Sequence, residues 1–230
     1  MRSSAPIRAV FFDLDDTLCD TIGTREARAR LAFECLCQTH SELDRDVLVK
    51  RALEPRDEPR SAVGVRGVLM ELGLLETAAG TAALEAARYY YEPLCLFEGV
   101  RETLAELMGS YELGVITNWE SEDEQRRKVE HLAVDSSFRY FIVSGSAGFE
   151  KPDLRIFEHA CGLAGVESRE AVFVGDRLDV DIAGARAAGM RAVWFNHWGG
   201  SLDGASPGPD AVIGRFGELP GVLARLSGEA

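Results

Sequence analysis

Four short apolar runs in this chain each end on polar residues, and nothing else in it constrains the fold as much. Ala9-Val10-Phe11-Phe12 runs into Asp13-Leu14-Asp15-Asp16. Leu113-Gly114-Val115-Ile116 ends at Thr117-Asn118, Tyr140-Phe141-Ile142-Val143 at Ser144, and Ala171-Val172-Phe173-Val174 at Gly175-Asp176. Runs of this length and texture predict buried strands. Three carboxylates within four positions, Asp13 to Asp16, are costly to bury unless a cation or donors compensate them. They belong at the end of a central strand, where open α/β sheets keep their ligands.

From Gly99 onward strand and helix alternate. Val100, Leu104 and Leu107 mark a helix, and Ser121 opens another with Glu124 as the far end of a capping box. Asp153 caps a helix through Cys161, and Asp181 opens one that Gly189 closes. Arg191 to Phe195 is a further strand, Ala211 to Ile213 a short sixth, and Gly221 to Leu226 a last helix. This alternation implies right-handed crossovers and an α/β fold with a Rossmann-like parallel sheet. The polar strand ends then line one crevice.

After Leu18 the strand texture stops for about 75 residues. Arg25 to His40 is helical, with Leu31/Cys35 and Ala32/Leu36 one turn apart. Val47 to Leu53 is a second helix. Val65, Leu69 and Leu72 mark a third that stops at Gly73, and Leu84, Ala87, Arg88 and Tyr91 a fourth ended near Pro93. Between the second and third, Pro55 to Pro59 with Arg60 is a polar break. The expected organisation is a catalytic core of residues 1–18 and 96–230 and an inserted helical cap of residues 19–95.

The crevice gathers Asp13, Asp15, Asp176 and Asp181 with Lys151, Thr117 and Asn118. Clustered carboxylates repel, and a hard divalent cation resolves that. Mg²⁺ takes one or two carboxylates and keeps waters plus a phosphate oxygen. A lysine beside it adds a point charge for the same phosphate, and Thr and Asn supply donors to the remaining oxygens.

The order and local sequence of these residues resemble the four motifs of the haloacid dehalogenase-like (HAD) superfamily, whose members are mostly phosphatases. Asp13-x-Asp15-x-Thr17 is similar to motif I, Thr117 to motif II, Lys151-Pro152-Asp153 to motif III, and Gly175-Asp176 with Asp181 to motif IV. The core resemblance covers roughly residues 8–20 and 96–200, and residues 19–95 fit the slot of a C1-type helical cap. By that resemblance Asp13 is the nucleophile and forms an aspartyl-phosphate, while Asp15 protonates the leaving oxygen and then activates water. Mg²⁺ is held by the Asp13 carboxylate, the Asp15 main-chain carbonyl and the Asp176 carboxylate. Thr117, Asn118 and Lys151 hold the phosphoryl group, and Asp181 acts one layer out, through waters or as a helix cap.

Two departures stand out. Trp119 replaces the glycine that often follows Thr-Asn, and Arg177 follows Asp176 where Ser or Thr is common. The expected function is hydrolysis of a small phosphorylated metabolite such as a sugar phosphate, nucleotide or acylneuraminate phosphate. A phosphomutase or a non-catalytic regulatory protein on the same fold is the alternative. Dehalogenation is disfavoured, because the dehalogenases of the superfamily lack an acid at the position of Asp15.

The net charge of −13 argues against nucleic-acid or anionic-membrane partners, and no apolar run exceeds strand length. The N-terminus carries no secretory signal pattern, and five cysteines without framework spacing predict reduced thiols in a cytoplasmic protein, monomer or homodimer. The charge run Glu120 to Lys128 is a solvated helix face. His197-Trp198 is loop packing, Tyr89 to Tyr91 is core and rim of the cap, and Arg25, Arg28, Arg30, Arg56, Arg60 and Arg66 are mostly exposed.

Overall fold

The computed structural model describes residues 6–56, 62–202 and 207–228. The chain forms two compact units, Met1–Asp20 with Cys95–Ala230, and Thr21–Leu94.

β1 (Ala9–Phe12) opens the first unit. The second unit carries α1 (Arg25–Cys37), α2 (Arg45–Leu53), α3 (Gly64–Glu71) and α4 (Ala78–Arg88). The first unit resumes with α5 (Val100–Leu107), β2 (Glu112–Thr117), α6 (Glu122–His131) and β3 (Tyr140–Val143). α7 (Ser144–Ala147), α8 (Leu154–Ala164), β4 (Ala171–Gly175) and α9 (Ala183–Ala187) follow. β5 (Arg191–Phe195), β6 (Ala211–Ile213) and α10 (Leu219–Ser227) complete it.

The sheet has the order β3-β2-β1-β4-β5-β6, and every pairing is parallel. β1 takes the middle because all its side chains are apolar and buried, as a strand covered on both faces requires. Phe11 packs on one face with Ile116, Phe157, Phe173 and Ile182. Phe12 points to the other, its ring 6.3 Å from Phe138 and 6.0 Å from Phe216. Gly114 makes room for Phe11, since a Cβ there would lie 2.7 Å from the ring. Phe12 pairs with Val115 and Val174, so Asp13, Thr117 and Asp176 all emerge just past the same edge of the sheet.

The helical unit has its own core, in which Ala32, Phe33 and Leu36 of α1 meet Val49, Leu69 and Ala83. α1 ends at Cys37 rather than His40. α2 starts two residues earlier than its apolar pattern, because the Asp44 carboxylate caps it by accepting from the amides of Asp46 and Val47. α4 stops at Arg88, which leaves Tyr91 off the helix. Tyr89 is exposed, and Tyr90 and Tyr91 are half-buried. Arg30 pairs with Glu26 and Asp46 at the surface, and Arg56 and Arg66 are exposed. Asp57, Glu58, Pro59 and Arg60 of the polar break lie outside the described residues.

His197 packs in a loop, 4.6 Å from the Phe97 ring and stacked on Phe195. All five cysteines are free. Among the described residues, no helix is long and apolar enough to cross a membrane.

Candidate active site

The ladder between β1 and β4 continues one residue past β1, where the Asp13 amide donates to the Val174 carbonyl at 2.9 Å. The chain then turns back on itself. Asp16 adopts a left-handed conformation with φ of 62°, which aspartate tolerates better than most residues. The amides of Leu18 and Cys19 both reach the Leu14 carbonyl. Thr17, fully buried, donates its hydroxyl to Asp176 Oδ1 at 3.3 Å and ties this turn to the end of β4. The Trp194 indole donates to the Asp176 carbonyl at 2.9 Å, which fixes the same segment from β5.

Lys151 sits at the centre of the carboxylates. Its Nζ donates to Asp13 Oδ1 at 2.7 Å and to Asp181 Oδ1 at 2.8 Å, and all three side chains are buried. Asn118 holds Lys151 in place from the end of β2. Its Nδ2 donates to the Lys151 carbonyl and its Oδ1 accepts from the Lys151 amide, both at 2.8 Å. One amide hydrogen of Asn118 then remains for any role at a phosphoryl group.

Asp181 does not open a helix as its position suggested. It lies inside a π-helical turn, Leu178–Ile182, that leads into α9. Its carboxylate points back to accept from the Arg177 amide at 3.0 Å as well as from Lys151. The Arg177 guanidinium pairs with exposed Asp179 at 2.9 Å, so this departure from the family pattern adds an outward-facing ion pair.

Carboxylate oxygens of Asp13, Asp176 and Asp181 lie within 4.8 Å of one another. Burial pushes the Asp13 carboxyl well above the usual range; Lys151 pulls it back, and Asp181 and Asp176 push it further up. Burial alone would lower Lys151, but Asp13 and Asp181 outweigh it and hold the ammonium up at about 12. Three carboxylates against one ammonium leave an excess of negative charge in a buried place. Hard oxygen donors with unbalanced negative charge fit a hard divalent cation such as Mg²⁺.

The other side of the crevice was not legible in the sequence. The run from Glu120 to Lys128 is not the solvated face expected of it: Glu124, Gln125 and Lys128 are buried. Lys128 Nζ donates to both oxygens of Asp15, at 2.7 and 2.9 Å. Gln125 Nε2 donates to Asp15 Oδ2 at 2.8 Å and to Thr117 Oγ1 at 3.1 Å. Ser121 accepts from the Glu124 amide as a cap should, but the Glu124 carboxylate accepts from the Trp119 indole at 2.8 Å. Lys128 Nζ lies 4.8 Å from the centre of the Trp119 ring, so an ammonium covers one face of that ring. Only the spacing of Ser121, Glu124, Gln125 and Lys128 on one helical face could have signalled this. Glu122, Asp123, Arg126 and Arg127 do form an outward face, paired at i,i+4.

A parallel sheet whose strand ends converge on buried carboxylates and a lysine defines a class that sequence comparison identifies. The haloacid dehalogenase-like hydrolase family model matches residues 7–189. The chain belongs to that family of hydrolases. N-acylneuraminate-9-phosphatase of Rattus norvegicus is 35% identical over 237 residues, 96% of this chain and 95% of that protein. Glyceraldehyde 3-phosphate phosphatase of Pyrococcus furiosus is 33% identical over 198 residues, 83% of this chain and 81% of that one. The crystal structure of a 2-haloacid dehalogenase from Pseudomonas syringae pv. Tomato aligns with a TM-score of 0.65 at 30% identity, covering 95% of this chain and 99% of its own.

Proposed function

We propose that this hydrolase is a Mg²⁺-dependent phosphatase that cleaves small phosphomonoesters through an aspartyl-phosphate on Asp13. The observation that carries this reading is Lys151 Nζ at 2.7 Å from Asp13 Oδ1, with the Asp176 and Asp181 carboxylates beside it at the C-terminal edge of the sheet. The phosphatase relatives support the reaction class.

The substrate phosphoryl group lies against Asp13, with Lys151, Thr117 and Asn118 as the donors to its oxygens. The Asp13 and Asp176 carboxylates and the Asp15 carbonyl would hold Mg²⁺, which would supply positive charge to offset the carboxylates and the phosphoryl oxygens. A carboxylate oxygen of Asp13 bonds to phosphorus, and the ester P–O bond breaks. Asp15 passes its proton to the leaving oxygen. It then takes one from water, whose oxygen bonds to phosphorus, releasing phosphate and restoring the Asp13 carboxylate. Asp181 keeps Lys151 aimed at the site. Among substrates, sugar phosphates, nucleotides and acylneuraminate phosphates are the class we favour, and we assign the helical unit Thr21–Leu94 as a C1-type cap.

The test is phosphate release from a panel of phosphomonoesters, with Mg²⁺ and with EDTA, beside Asp13→Asn. Release that needs the metal and disappears in the variant is the expected result. Near-normal turnover by Asp13→Asn would sink the covalent mechanism. Because a 2-haloacid dehalogenase shares the fold, halide release from 2-haloacids without metal is the control; positive halide release with no phosphate release would replace the phosphatase reading.

A further inference from the structure

We propose that Gln125 and Lys128 are positioning residues for the reaction: Lys128 sets the orientation of the Asp15 carboxylate, and Gln125 sets the polarity of the Thr117 hydroxyl. The proposal rests on Asp15 serving as acid and base and on Thr117 donating to the phosphoryl group.

Lys128 is 4% exposed and Gln125 is 0% exposed. A lysine on a surface helix ordinarily keeps its ammonium in water. Here it is turned inward, onto both Asp15 oxygens and the Trp119 ring. Two contacts from one ammonium fix the plane of a carboxylate, which a single hydrogen bond does not. A buried ion pair is a poor source of stability, because desolvation cancels much of the attraction. Val129 and Leu132 of the same segment show that apolar residues already meet its packing need.

Gln125 adds direction. Its Nε2 can only donate, so Thr117 Oγ1 accepts from it and the hydroxyl hydrogen of Thr117 is turned elsewhere, available to a bound anion. The amide orientation follows from Asp15, whose two oxygens accept from the Lys128 ammonium at 2.7 and 2.9 Å, so that Oδ2 meets the Gln125 amide as an acceptor too. The same orientation leaves Gln125 Oε1 buried without a partner among the described residues. A buried acceptor left unpaired carries a cost, and here it is the counterpart of aiming both amide hydrogens at site residues.

The experiment is a double-mutant cycle on the full chain with two substrates. Wild type, Lys128→Met, Asp15→Asn and the double variant are compared by kcat/KM for Mg²⁺-dependent phosphate release from 4-nitrophenyl phosphate and from an alkyl phosphate. 4-Nitrophenolate leaves without needing a proton, whereas an alkoxide needs one. Lys128→Met is expected to lower kcat/KM for the alkyl ester on the order of 10- to 100-fold and for the nitrophenyl ester by about threefold or less. In the Asp15→Asn background it is expected to change either value by no more than about twofold. Lys128→Arg, which keeps a cation over Asp15, restores part of the rate on the alkyl ester. An equal loss on both esters, or a full further loss in the Asp15→Asn background, overturns the positioning role. If Lys128→Met does not fold by circular dichroism, Gln125→Met replaces it in the same cycle, since it leaves no buried charge unpaired. The same leaving-group signature at about fivefold supports the proposal and a uniform loss overturns it. A wild type silent on both esters overturns the phosphatase reading and the proposal together, whereas an active wild type with uniform losses overturns the proposal alone.

Discussion

Asp181 occupies the space that a side chain at Gly175 would need. A Cβ on Gly175 would lie 2.5 Å from Asp181 Cβ and Oδ2, well inside contact distance. Asp181 has no room to yield, because its carboxylate holds Lys151 Nζ at 2.8 Å and the Arg177 amide at 3.0 Å. Gly175→Ala is therefore expected to cost about 1–3 kcal/mol by overpacking, read as a lower urea midpoint at unchanged slope. Phosphate release should fall with it, since Lys151 loses its aim at Asp13. A midpoint equal to wild type would mean that the π-helical turn carrying Asp181 has slack. At this scale the sequence was partly legible. Asp13, Asp176 and Lys151 were found from strand ends and motif resemblance, and they do converge. Thr17 and Trp194 were not assigned a part, although one binds the Asp176 carboxylate and the other its carbonyl. Nothing in a threonine or a tryptophan marks which distant group its donor will meet.

α6 shows why an element can be located correctly and still be misjudged. Its start at the Ser121 cap follows from the sequence. Its burial does not, because the inward face is itself polar, and hydrophobic periodicity is blind to a face made of Glu124, Gln125 and Lys128. The outward face behaves as a charge-rich helix should. Asp123 pairs with Arg127 at 2.9 Å, both well exposed. Asp123→Asn is expected to change stability by about 0.5 kcal/mol or less and to leave phosphate release at the wild-type rate. A large loss of activity from that substitution would mean that the solvent-facing side of α6 also takes part in the site. Two residues further along the chain from Asp123, the amide of Gln125 lies in the crevice, and the contrast follows from helical spacing alone.

In the proposed reaction the site residues of the first unit all address a phosphoryl group, which every phosphomonoester shares. Discrimination among esters must then come from other parts of the chain, and the helical unit Thr21–Leu94 is the largest separate body available. Replacing residues 21–94 by the corresponding segment of the rat N-acylneuraminate-9-phosphatase is expected to reorder the substrate panel while the need for metal and for Asp13 persists. The measurement is the ranking of kcat/KM values before and after exchange. An unchanged ranking in a folded, active hybrid would remove the helical unit from substrate choice.

The sequence by itself determined the architecture and which polar residues gather at the strand ends. Short apolar runs specify buried strands, their alternation with helices specifies a parallel sheet, and a parallel sheet brings every polar strand end to one edge. Those rules are local or topological, so they survive without coordinates. What only the tertiary structure decided is which polar groups meet. Asp15 and Lys128 are 113 residues apart, and Thr17 and Asp176 are 159 apart. A hydrogen bond across such a separation depends on strand register, helix rotation and burial acting together. No periodicity within either segment contains that information, because the partner that satisfies a buried charge is chosen by the packed fold.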